Sequence, residues 1–215
     1  MYRSTINFRI IRKDKKLRIR IDLKIFIFLL IFYFTNQIKT YLMIMFFCII
    51  HEIGHIIVGL ILKMKLEKVE IMPFGLTALF DTNFDSPNNK IKEIFVTLAG
   101  PLTSLALAIL CKTQEVIYSN ILILLFNLIP IYPLDGGRII KAILHIKYGR
   151  VQAQKLINKI SYITMIILTL ISSIGVYYYK NLAIFMICIF LWIIVLQFSK
   201  ENSKINVKNL IERQE

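Results

Sequence analysis

The chain has 215 residues, 57% of them hydrophobic, and a formal net charge of +14. A soluble domain of this size runs nearer about 45–50% apolar, and the mean hydropathy of +0.66 argues against an ordinary soluble enzyme. The basic excess calls for no nucleic-acid partner, because the positive-inside rule of membrane proteins accounts for it. The expected class is an all-α polytopic membrane protein surrounded by a lipid bilayer.

In chain order, residues 1–20 form a basic cytoplasmic segment that carries Arg3, Arg9, Arg12, Lys13, Lys15, Lys16, Arg18 and Arg20. The apolar run that follows resembles the core of a signal peptide, but no small-residue cleavage site comes after it. The reading is an uncleaved first span at 21–36, short, with Asp22 and Lys24 placed to snorkel. A second span covers 41–62 and ends at Lys63. Residues 66–82 alternate like strands around Pro73 and Gly75, which predicts a small membrane-associated β-hairpin or re-entrant loop. Spans three and four are expected at 91–110 and 116–134, the fourth broken by Pro130 and Pro133. Residues 138–160 are basic and amphipathic, suited to the membrane interface. Spans five and six are expected at 161–179 and 182–198. The organisation is thus a six-span domain over 21–198, with a cytoplasmic tail at 199–215.

Charge orients these spans. With a cytoplasmic N-terminus, 24 of the 27 Lys and Arg fall on the inside segments, leaving Lys39, Lys112 and Lys180 outside. That asymmetry predicts both termini in the cytoplasm. Cys48, Cys111 and Cys188 match no disulfide or zinc-ribbon spacing and read as inert thiols.

The second span contains His51-Glu52-Ile53-Gly54-His55. On a helix the two histidines are one turn apart on one face. Two imidazoles so placed can bind one zinc ion, with Glu52 beside them as a general base. An ionisable residue at mid-membrane depth costs about 2.5–3.5 kcal/mol on insertion scales, and a bound cation would compensate for that cost. A catalytic zinc takes three protein ligands. The third donor is sought in 126–138, where Pro130 and Pro133 break the helix and Gly136 and Gly137 permit sharp turns. Broken backbone at membrane depth is tolerated where it is buried or lines a watery cavity. Asp135 on that segment is either a metal ligand or a helix-end carboxylate paired with Arg138, and the histidines favour the metal. Asn127 is a candidate for holding the substrate backbone or an oxyanion, the alternative being a hydrogen bond between helices. His145 reads as solvated.

HEIGH in one span and NLIPIYPLDGG in another resemble the site-2 protease family of intramembrane zinc metalloproteases. Ala99-Gly100-Pro101 and Met72 to Leu76 are similar to that family too. The resemblance covers roughly 40–145, and its compact form is closest to the stage IV sporulation protein FB subgroup. It implies one Zn2+ per chain held by His51, His55 and Asp135, with Glu52 as catalytic base. It also implies proteolysis near the cytoplasmic face of a membrane-tethered protein substrate, a sporulation pro-sigma factor, in the mother-cell membrane around the forespore. Inhibitory membrane partner proteins belong to the same expectation. The chain departs from larger members. The turn at 111–117 is too short for a PDZ domain, and no C-terminal CBS module is expected, so regulation through ATP is not implied. The alternatives are a site-2 protease acting on another membrane substrate, such as an anti-sigma factor, and a membrane metal-ion transporter. Glu52 speaks against the transporter, since transport needs no base beside the histidines.

Overall fold

The computed structural model of the protein describes residues 5–12, 15–34, 36–64, 66–72, 75–80, 87–179, 188–189 and 191–196. They belong to two compact units, Met1–Asn127 and Leu128–Glu215.

In the first unit the order is β1 (Thr5–Arg12), β2 (Lys15–Asp22), α1 (Lys24–Phe34), α2 (Ile38–Ile61), β3 (Leu66–Met72), β4 (Gly75–Phe80), α3 (Pro87–Leu110) and α4 (Gln114–Asn127). The strands form one sheet in the order β1-β2-β3-β4. β1 pairs antiparallel with β2, Thr5 opposite Asp22, and β3 pairs antiparallel with β4, Met72 opposite Gly75. β2 and β3 are parallel, with Ile19 opposite Val69. A parallel pair needs a crossover connection, and here α1 and α2 supply it. The expected all-α class is corrected accordingly. The chain is mostly helical, but it carries a four-stranded sheet, half of it built from residues read as a basic tail.

α2 is built inside out relative to a soluble helix. Tyr41, Phe47, His51, Gly54, His55 and Gly59 are buried, whereas Leu42, Phe46, Ile53, Ile57, Leu60 and Ile61 are exposed. Apart from Tyr41 and Phe47, the inward residues are glycine or histidine and the outward ones large and apolar, the pattern of a helix in lipid. Lys63 ends α2 with φ +57. The Lys63 amide donates to Leu60 O and the Met64 amide to Gly59 O, the paired bonds of a Schellman turn. That reversal sends the chain into β3. Phe80 and Val96 form a small core there, with Ile56, Val58, Leu62, Met64 and Leu66 packed against it.

The second unit holds α5 (Asp135–Tyr148) and α6 (Arg150–Tyr179). Before α5, residues 128–134 are not helical, as Pro130 and Pro133 require, and the Tyr132–Pro133 peptide is cis. The segment is held by its own backbone, Leu134 N–H donating to Ile131 O at 2.8 Å, and by Tyr132 N–H donating to Ser161 Oγ of α6 at 3.0 Å. Lys141 lies over the Tyr132 ring, 4.2 Å from its centroid. α6 exposes Ile163, Ile166, Ile167, Leu170, Ile171 and Ile174, again an outward apolar face.

Three of the described helices are long and apolar enough to cross a membrane: Ile38–Ile61, Asn88–Leu110 and Arg150–Tyr178. They coincide with the expected second, third and fifth spans, the last starting eleven residues earlier than expected. The first and fourth expected spans differ. α1 has 11 residues and α4 has 14, so at 1.5 Å per residue they reach only about 17 and 21 Å against a hydrocarbon core of about 30 Å. Ile21 and Asp22, read as span residues, belong to β2. Most of the expected sixth span and the whole of 199–215 lie outside the described residues, though 188–189 and 191–196 are helical.

Candidate metal centre

His51 and His55 are each 2% exposed, one helical turn apart on α2, with ring centroids 4.9 Å apart and planes at 78°. Both are held through Nδ1 by α3. His55 Nδ1 is 2.7 Å from Val96 O, and His51 Nδ1 is 2.8 Å from Ser104 Oγ. A carbonyl oxygen only accepts, so Nδ1 of His55 carries the proton and its lone pair is on Nε2. The amide of Gly100 also approaches His55 Nδ1, at 3.3 Å. A protonated nitrogen cannot accept from it, and the shorter bond to Val96 O decides the tautomer.

Gly100 explains how two imidazoles fit against a helix. A Cβ at that position would meet Nε2 and Cε1 of His55 and Nε2 of His51. Only a residue without a side chain lets α3 come this close, and both Nε2 atoms turn toward the room so created. Gly54 makes the matching approach from α2, where a Cβ would meet Thr103 Oγ1 and, at 3.1 Å, Ala99 O. Pro101 lies inside α3 and withholds a donor from the carbonyl one turn back, that of Thr97. His51 and His55 each offer a ring nitrogen that could hold a metal ion, and these lie within 4.8 Å of each other. Two imidazoles sharing one face, each with Nδ1 hydrogen-bonded, fit a zinc ion. Glu52 follows His51 on the same helix and is half-buried.

The remaining sequence candidates are placed as follows. Asp135 is the first residue of α5, 5% exposed, at the helix end where a carboxylate is favoured by the dipole. Its Oδ1 is 3.6 Å from Arg138 Nη1, a loose ion pair. The turn that presents it is tight. A Cβ on Gly136 would meet Leu128 O, and one on Gly137 would meet Ile131 O and Tyr132 N, so residues 128–132 fold against the first turn of α5. Asn127 ends α4, its amide donating to Ile123 O at 3.0 Å. His145 lies half-buried in the last turn of α5. Cys48, Cys111 and Cys188 are free thiols. The sequence reading missed Ser104 and the Val96 carbonyl as partners of the histidines. The spacing Val96, Gly100, Ser104, four residues apiece around Ala99-Gly100-Pro101, was the available signal.

A buried histidine pair on α2, held by α3, with both helices long and apolar enough to cross a membrane, fits a membrane-embedded metal site. The match to a family profile is more specific. The model described as Peptidase family M50 matches residues 39–114 and 112–171, well over half the chain, so the chain belongs to peptidase family M50. Among its relatives, it is 33% identical over 123 residues to a zinc metalloprotease of Methanocaldococcus jannaschii, covering 50% of this chain and 35% of that protein. It is 32% identical over 119 residues to stage IV sporulation protein FB of Bacillus subtilis, covering 49% and 40%. It is 31% identical over 117 residues to the putative zinc metalloprotease Rip3 of Mycobacterium tuberculosis, covering 46% and 29%. The aligned stretch thus spans well under half the length of these relatives. Among solved structures, the site-2 protease from Methanocaldococcus jannaschii shares the fold, with a TM-score of 0.64 at 23% identity over 89% of this chain and 94% of that one.

Proposed function

We propose that the protein is an intramembrane zinc endopeptidase that cleaves a membrane-tethered protein substrate near the cytoplasmic face. The observation that carries this reading is the pair His51 and His55, buried in a membrane-length helix with both Nδ1 atoms bonded to α3 and both Nε2 atoms turned toward Gly100. Family membership and relatives named as zinc metalloproteases support it.

In this reading His51, His55 and Asp135 hold one zinc ion. The burial of Asp135 and its place on a turn shaped by Gly136 and Gly137 support its role as third ligand. Zinc, when bound, supplies a Lewis acid that activates water and polarises the scissile carbonyl. Glu52 takes a proton from the attacking water and passes it to the leaving amine. Asn127 has one amide hydrogen on Ile123 O and a second with which to hold the substrate backbone. The clustering of Lys and Arg on one side supports cytoplasmic termini and cytoplasmic access.

Among substrates, a membrane-associated pro-sigma factor is favoured, because stage IV sporulation protein FB of Bacillus subtilis is among the relatives. The test is co-expression with candidate membrane-tethered substrates, with cleavage products mapped by mass spectrometry and compared with and without a zinc chelator. Chelator-sensitive cleavage of a pro-sigma factor supports this choice. Cleavage of an anti-sigma factor instead would retain the protease and change the substrate. Zinc flux into vesicles without any proteolysis would favour the transporter.

A further inference from the structure

We propose that Ser104 is the positioning residue for His51, its hydroxyl accepting the Nδ1 proton and so fixing Nε2 as the metal-binding nitrogen. The inference rests on the metal reading of the histidine pair and assigns a role to a residue outside the ligand set and distinct from the general base Glu52.

The geometry is that of two helices running in opposite directions. Along α2 the histidines are four residues apart. Along α3 their partners, Val96 and Ser104, are eight apart, with Gly100 midway. Residues four apart share a helix face, so Val96, Gly100 and Ser104 form one stripe, with a hydrogen-bond acceptor at each end and a gap between. The gap admits the rings, and the two ends hold them.

The two ends differ in kind. Val96 contributes a backbone carbonyl, so His55 is held whatever the side chain there. Ser104 contributes a hydroxyl, which can donate as well as accept. Metal binding decides between the two: a lone pair kept on Nε2 leaves the ring proton on Nδ1, where the hydroxyl accepts it. The neighbouring hydroxyls are bonded within their own helix, Thr97 Oγ1 donating to Glu93 O at 2.7 Å and Thr103 Oγ1 to Ala99 O at 2.8 Å. Ser104 instead faces His51 Nδ1, 2.8 Å away. Ser104 is fully buried, at 0% exposure, and His51 nearly so. Water therefore does not replace the bond if the hydroxyl is removed, and a buried donor without its acceptor is destabilised. Partners of this kind fix the tautomer of a ligating histidine and raise its basicity, and their loss typically weakens metal binding by about 10–100-fold.

The experiment compares wild type, Ser104→Ala and Ser104→Thr as purified full-length protein in detergent. Zinc affinity is read by competition with a chromogenic chelator, and the visible spectrum is read after loading with cobalt(II). The expected result is a Kd raised about 10–100-fold in Ser104→Ala, with an altered cobalt spectrum, and both restored in Ser104→Thr, which keeps the hydroxyl. An unchanged Kd and spectrum in Ser104→Ala would overturn the proposal while leaving the metal site intact. Wild type that binds neither metal would instead remove the metal reading itself. A second measurement does not depend on the variants folding. Nitrogen-15 spectra of histidine-labelled, zinc-loaded wild type should show His51 bound through Nε2 with a protonated Nδ1, and coordination through Nδ1 would overturn the assignment.

Discussion

Gly100 lies against His55 so closely that a Cβ on the glycine would run into the imidazole Nε2 and Cε1, and into Nε2 of His51 beside it. The space denied to a side chain is the space the two rings occupy, so a methyl there would displace the nitrogens proposed to bind the metal. Gly100→Ala is therefore expected to block zinc binding more completely than a lost hydrogen bond does, beyond the roughly 10–100-fold typical of an outer partner. Zinc content of the purified variant checks this. Stoichiometric zinc at wild-type affinity would show that the α2–α3 approach is not what shapes the site.

Phe80 ties the sheet to α2. It is 8% exposed, and its ring covers Gly59, where a Cβ would collide with the ring edge. Removing an aromatic side chain from a packed core costs about 3–5 kcal/mol. Phe80→Ala should therefore lower the unfolding midpoint in detergent clearly, and Phe80→Leu should lower it less. Equal midpoints for all three proteins would mean that the contact contributes nothing to stability.

Asp135 tests the proposed ligand set. Its Oδ1 lies 3.6 Å from Arg138 Nη1, and a buried ion pair is weak evidence for what a carboxylate is there to do. Asp135→Asn should lose zinc affinity and proteolysis together, because an amide oxygen is a far weaker ligand than a carboxylate. Arg138→Gln should leave both closer to wild type. Reversed results would make the Arg138 pairing the reason for the aspartate.

The charge asymmetry predicts the topology. With the native cysteines replaced, a single cysteine at Asn88 should be shielded from an impermeant thiol reagent added to intact cells, and one at Gln114 should react. Labelling at Asn88 and not at Gln114 would invert the orientation and place the substrate entrance on the opposite side.

The site was more legible in the sequence than the fold. HEIGH carries its own geometry, since helical periodicity alone puts His51 and His55 on one face, and the apolar flanks announce the membrane. The proline and glycine positions from Pro130 to Gly137 likewise predict a broken segment before Asp135. β1 and β2 were hidden by charge. Asn7-Phe8-Arg9-Ile10 and Leu17-Arg18-Ile19-Arg20-Ile21 alternate as strands do, but their arginines also satisfy the positive-inside rule, and that explanation concealed the alternation. The partner of β2 is β3, separated from it by two helices, a pairing that no local pattern reports. α1 and α4 were overextended because apolar runs continue past helix ends, β2 taking residues from one side of α1 and Pro130 ending the run beyond Asn127. Ser104 was missed because a serine in an apolar helix reads as helix-packing polarity until the histidine facing it is known.

Glu52 is the most direct test of the central claim. It shares α2 with the histidines, and in the proposed chemistry it transfers a proton without binding the metal. Positioned acid–base groups contribute about 10²–10⁴-fold to rate. Glu52→Gln should retain zinc at wild-type stoichiometry while cleavage of a membrane-tethered substrate falls by at least that factor. The decisive measurement is zinc content and cleavage rate on the same preparations of wild type and variant. Bound zinc with cleavage abolished is the predicted result. Bound zinc with cleavage near the wild-type rate would contradict the account.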